Sequence, residues 1–98
     1  MKATWIARRR IVYSPSAFAE LVLWHVPKPL AGSEHDYKYR LAYVVNELCV
    51  VRYDNEVGKG DHRHLGSLES NYKFASPDML IVDFQKDIAR WNHENSHS

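Results

Sequence analysis

Alternation is clearest between Asp36 and Tyr43, where Tyr37, Tyr39, Leu41 and Tyr43 fall on one side and Asp36, Lys38, Arg40 and Ala42 on the other. A period of two predicts a strand with one buried face. Thr4 to Tyr13 and Ala17 to Val26 are also rich in strand-forming residues, and Ser14-Pro15-Ser16 between them suits the turn of an N-terminal hairpin. In the second run Phe18, Glu20, Val22, Trp24 and Val26 share one face, and Ala19, Leu21, Leu23 and His25 the other, so both faces are largely apolar. Pro27-Lys28-Pro29 stops this strand, because proline has no N–H to give to a ladder.

After a loop through Glu34 and the alternating strand, Asn46-Glu47 turns the chain into Leu48 to Tyr53, a second hairpin. Asp54 to Gly60 is polar and glycine-bearing and predicts a loop; Asp61 to Leu65 resumes an extended path, and Tyr72-Lys73-Phe74 is placed as a short final strand. Ser76 as N-cap, Pro77 at the first helical position and Asp78 in the first turn mark a helix start. Leu80, Ile81, Phe84, Ile88 and Trp91 recur at helical spacing, which predicts a helix from Pro77 to about Trp91 packed on the sheet. The expectation is an α+β fold: an antiparallel sheet of about five or six strands, two hairpins plus short strands, with one C-terminal helix on one face. Residues 1–98 are read as a single domain, with 92–98 a flexible polar tail whose His93 and His97 are surface residues.

Composition narrows the function classes. The chain has 98 residues, 45% hydrophobic and 26% charged, the make-up of a globular domain. Lys and Arg number 13 against 12 Asp and Glu, so no overall basic field exists of the kind a general nucleic-acid binder uses. Any basic site must be local. A lone cysteine, Cys49, excludes an intramolecular disulfide framework and a Cys-based zinc finger, and its apolar surroundings predict a buried core thiol. Trp5, Trp24 and Trp91 are expected to share one core. No secretion signal or membrane span is legible, and the cytoplasm is the expected address.

The candidate chemistry lies in the polar run from Arg52 to His64. Charge runs are often only solvated loops, yet loops on a rigid sheet are also where function concentrates. If Asp61 to His64 is extended, His62 and His64 project to the same side roughly 6.5 to 7 Å apart, with Arg63 facing away. That spacing admits a phosphodiester: one neutral imidazole takes the 2′-hydroxyl proton of RNA, and one imidazolium protonates the leaving 5′-oxygen. Lys59, Arg52 or Arg40 would stabilise the transition-state charge. Gly58 and Gly60 would let backbone approach a phosphate.

Two other readings fit the same residues. His-x-His offers two metal ligands, with Asp61, Asp54 or His35 to complete a set, but a catalytic centre wants about three, and acid–base chemistry ranks above it. In the other, Lys59, Arg63, Arg52 and Arg40 contact phosphates while Tyr37, Tyr39 or Tyr53 stack on bases. Core packing competes for those tyrosines, and strand-edge charge accounts for Arg8-Arg9-Arg10.

His35-Asp36-Tyr37-Lys38-Tyr39-Arg40-Leu41, Val51-Arg52-Tyr53-Asp54-Asn55 and Gly58-Lys59-Gly60-Asp61-His62-Arg63-His64 together resemble the TumE family, toxins of bacterial toxin–antitoxin pairs. The resemblance covers nearly the whole chain. It implies a bacterial, cytoplasmic protein with an antitoxin partner from a neighbouring gene and RNA as the target; it supplies no catalytic set. Glu56-Val57 departs from the family pattern, where a more polar, histidine-bearing pair is expected.

The combined expectation is a toxin-like, metal-independent ribonuclease that needs no cofactor. His62, His64 and Asp61 form its catalytic set, with Asp61 or Asp54 orienting a histidine. Lys59, Arg52, Arg40, Arg63, Tyr53, Asp54, Asn55, Gly58 and Gly60 bind phosphate or support the site. The alternative is a non-catalytic module that binds an antitoxin or nucleic acid. Exposed strand edges leave a homodimer open.

Overall fold

The computed structural model describes residues 4–95. Six strands follow in chain order, β1 (Thr4–Ser14), β2 (Ala17–His25), β3 (Tyr37–Val45), β4 (Leu48–Glu56), β5 (Gly60–Leu65) and β6 (Leu68–Asn71), and a helix, α1 (Pro77–Asn95), ends the described chain. Every neighbouring pair is antiparallel and the spatial order equals the chain order, so the sheet is an open meander. This is the α+β architecture that the alternation predicts.

The helix covers one face of the sheet. Cross-strand partners point to the same side, and the register places Leu21, Leu41, Tyr53 and Arg63 in one row. Ala19, Tyr43, Val51 and Leu65 form the next. Ala19, Leu21, Leu23, Tyr39, Leu41, Tyr43, Val51 and Tyr53 are buried there with Leu80, Phe84 and Ile88 of the helix. Trp91 packs edge-on against Tyr43, but Trp24 lies on the opposite face with the Lys38 ammonium over its ring, so these two do not share a core. The Trp5 side chain lies outside the described residues.

The helix starts where its cap predicts: the Ser76 hydroxyl accepts the Met79 N–H at 3.1 Å. It runs past Trp91 because Arg90 pairs with Glu94 and the Asn95 amide caps the Trp91 carbonyl. His93 is therefore helical, and His97 lies outside the described residues.

Three further readings are corrected. Asp54 to Glu56 extend β4 instead of forming a loop, because the Asn55 side chain supplies its own partners: Oδ1 accepts the Tyr39 N–H at 3.0 Å and Nδ2 donates to the Tyr37 carbonyl at 2.8 Å. The last strand is Leu68–Asn71; Tyr72 makes one further ladder bond, to the Asp61 carbonyl, before the chain leaves for the helix. Cys49 is exposed, because a register shift between Tyr43 and Val44 pairs it with Val44.

Polar pairs pin the helix to the sheet. The Tyr53 hydroxyl donates to the Asp87 carboxylate, the Tyr72 hydroxyl to Asp83 at 2.5 Å, and the Tyr43 hydroxyl to Asn92 at 2.7 Å. Burial, and then the hydrogen bond to a carboxylate, push the phenols of Tyr39, Tyr53 and Tyr72 above the ordinary tyrosine range. An unfolded tyrosine ionises near about pH 10 while these keep their protons, so the unfolded state sheds protons first. Their stabilising contribution is complete below that pH and is lost as pH rises toward the raised folded values. In an alkaline titration, part of the tyrosinate absorbance should appear only with the loss of ellipticity; full tyrosinate absorbance before unfolding would contradict this.

Candidate functional site: the open sheet face

The face opposite the helix carries two adjacent cross-strand rows. One holds Arg8, Val22, Arg40, Asp54, His62 and Asn71; the other holds Arg10, Glu20, Ala42, Arg52, His64 and Glu69. The alternation of β5 separates the run by parity. His62 and His64 face outward together, while Asp61 and Arg63 face the helix with Asn55 and Tyr53.

The two histidines converge. His62 Nδ1 and His64 Nε2 each lie 3.3 Å from the same atom, Oε2 of Glu69. Two contacts to one oxygen hold the ring nitrogens within twice that distance of each other, a gap that one phosphate spans. Arg52 extends the cluster: its terminal nitrogen donates to His64 Nε2 at 3.0 Å and its Nε lies 3.3 Å from Asp54 Oδ2. Asp54 Oδ1 is 3.9 Å from His64. His62 Nε2 donates to the Lys59 carbonyl at 2.7 Å, which places a proton on Nε2 and turns Nδ1 toward the cluster. Arg52 Nε and His62 Nδ1 are both shielded from solvent and make no hydrogen bond to protein. Shielded polar atoms of this kind call for a partner.

Arg40 is exposed on the same face. The Lys59 ammonium stands in the β4–β5 turn, 4.0 Å from Glu56. Gly58 and Gly60 both have positive φ, +83° and +77°. A Cβ on Gly58 would meet open space, whereas one on Gly60 would come within 2.6 Å of the Gly32 carbonyl oxygen. The missing side chain of Gly60 thus serves loop packing, which the Gly58 N–H to Ala31 carbonyl bond reinforces at 2.6 Å.

Asp61 orients a histidine, but it is His35. His35 Nε2 bonds Asp61 at 2.6 Å, the Tyr39 hydroxyl donates to the same carboxylate oxygen at 2.6 Å, and the Ser33 hydroxyl donates to the other oxygen at 2.6 Å. His35 Nδ1 accepts the Tyr37 N–H at 3.2 Å, and the ring stacks on Phe74 with centroids 3.8 Å apart. Both nitrogens are spent within the protein, so His35 has no lone pair or proton to offer in the adjoining cleft of about 390 Å³. Among the described residues no group of three or more His, Cys, Asp or Glu side chains is arranged to hold a metal ion.

Glu69 is the site residue that sequence reasoning missed. Its only signal was position, since β6 runs antiparallel beside β5 and puts it opposite His64.

A protein-family model described as toxin TumE matches residues 2–92, and the chain belongs to that family. Membership implies an antitoxin partner in general. No curated protein and no solved structure shows significant similarity to the chain. No helix among the described residues is long and apolar enough to cross a membrane.

Arg63, a phosphate candidate by sequence, is held to Asp87 through two bonds, Nε at 2.8 Å and a terminal nitrogen at 3.0 Å. Removing Arg63, itself half-buried, leaves the buried Asp87 carboxylate without its cation, so Arg63→Ala should lower stability by about 1 to 3 kcal/mol. Chemical denaturation measures this. A variant as stable as the parent would free Arg63 from its structural role.

Proposed function

We propose that the chain is a toxin that cleaves RNA by metal-independent acid–base catalysis on the open sheet face, with His62 and His64 as the proton-transfer pair. The observation that carries this reading is the convergence of His62 Nδ1 and His64 Nε2 on one oxygen atom. Arg52 supplies the cation beside them, and Arg40 adds charge along the same face.

The hydrogen bonds suggest how the roles divide. His64 Nε2 accepts from Arg52, so it carries a lone pair; once the guanidinium turns to the phosphate, that lone pair is free to act as base. His62 keeps one proton on Nε2 against the Lys59 carbonyl, and an imidazolium would present its second proton on Nδ1. His64 takes the proton of the 2′-hydroxyl, and O2′ attacks phosphorus. The P–O5′ bond breaks and His62 protonates the departing 5′-oxygen, giving a 2′,3′-cyclic phosphate and a 5′-hydroxyl end. Arg52 and Arg40 hold the phosphate charge as it grows. The step needs no redox partner.

His62→Ala and His64→Ala should each lower RNA cleavage by about 10²- to 10⁴-fold with folding intact. A substrate with an activated aryl leaving group should rescue the His62 variant and not the His64 variant, since only the acid becomes dispensable. Cleavage should survive EDTA. Unchanged cleavage in both variants would sink the histidine pair, loss with EDTA would favour metal, and a parent protein that binds RNA without cutting it would leave a binding module.

A further inference from the structure

If two imidazoles flank a phosphate, its oxygen belongs at the point both rings already touch. That point is filled by Glu69 Oε2, at 3.3 Å from each ring, a contact that attracts an anion when His62 carries its second proton on Nδ1. We propose that the point is an anion seat for a phosphodiester oxygen, and that Glu69 is an internal anion occupying it until the substrate displaces it. The identity of the ligand rests on the ribonuclease reading; the existence of the seat does not.

The walls of the seat are better held than its occupant. His62 and His64 sit on β5, between β4 and β6, and their ladder partners across the sheet are Asp54 and Arg52. The His62 ring is further fixed by the Lys59 carbonyl. Glu69 lies on β6, four residues that are all exposed and pair only with β5, and its own side chain is 47% exposed. A glutamate there can swing into solvent at the cost of two contacts.

The occupant also satisfies the seat incompletely. Arg52 Nε remains shielded without a hydrogen bond although Glu69 fills the centre of the cluster. A carboxylate has two oxygens and a phosphodiester four, of which two carry the charge, so a phosphate can meet both rings and still reach the guanidinium. The charged groups around the point are Arg52 and Asp54, with the two imidazoles between them, so Glu69 adds a second carboxylate beside Asp54. Two anions cannot share one seat, and a carboxylate a few ångströms from an incoming phosphate weakens its binding. Glu69 thereby acts as a built-in competitor.

The test follows the His62 and His64 ring signals by NMR while inorganic phosphate, and separately a non-cleavable 2′-deoxy oligonucleotide, is titrated into the parent, Glu69→Ala and Glu69→Gln. Both exposed-site variants should fold as the parent does. Removing the charge should tighten phosphate at least about tenfold, with the shifts centred on those two rings. Equal or weaker binding would overturn the proposal. Cleavage by the same proteins separates the two readings. Tighter phosphate with no cleavage by any of the proteins keeps the seat and removes the ribonuclease. Unimproved phosphate with cleavage lost only in the Glu69 variants makes Glu69 part of the reacting set; the ribonuclease then stands and the competitor falls.

Discussion

The bond between Arg63 and Asp87 is the constraint from which the rest of the site follows. Asp87 sits on the buried stripe of the helix between Phe84 and Ile88, where it also receives the Tyr53 hydroxyl. An ion pair in such a place adds little net stability, since desolvation offsets most of the attraction. Its contribution is parity. A slip of one residue in β5 would turn Arg63 to solvent and leave Asp87 without its cation beneath the helix. With Arg63 held inward, His62 and His64 have no choice but to face outward. One carboxylate on the helix thus decides which face of the sheet carries the imidazoles.

Much of this could be read from residue order. The run Tyr37 to Tyr43 alternates cleanly, Ser76-Pro77-Asp78 marks the helix start, and the strand reading of Asp61 to His64 sets Arg63 against its two neighbours. Periodicity gives faces, and it stops there. It does not give register, so nothing in the sequence ties Leu68–Asn71, a strand without a buried side, to the histidines beside it. Asp54 and Asn55 look like loop residues by composition. They enter the strand because Asn55 finds backbone groups of Tyr37 and Tyr39, a pairing between residues distant in sequence. Asp61 combines a legible face with an illegible partner. Its parity already set it apart from His62 and His64, yet the partner it takes instead, His35, lies on a loop whose path no local pattern encodes.

Hydrogen bonding separates His35 from His62 and His64 more sharply than exposure does. His35 has both nitrogens engaged by fixed groups and its ring stacked on Phe74, so its role is to hold the loop. That loop reaches the site through backbone alone. Gly32 and Gly60 pack so closely that neither can carry a Cβ, and their contact fixes the turn at the start of β5. The carbonyl of Lys59 in that turn then accepts a hydrogen bond from the Nε2–H of His62. This chain of contacts ends by pointing Nδ1 at the carboxylate of Glu69, a group on an exposed edge strand. Every link before the last is a close backbone contact or a hydrogen bond to backbone. A site whose walls are fixed by the fold and whose occupant is held by two contacts is arranged to exchange that occupant for another anion.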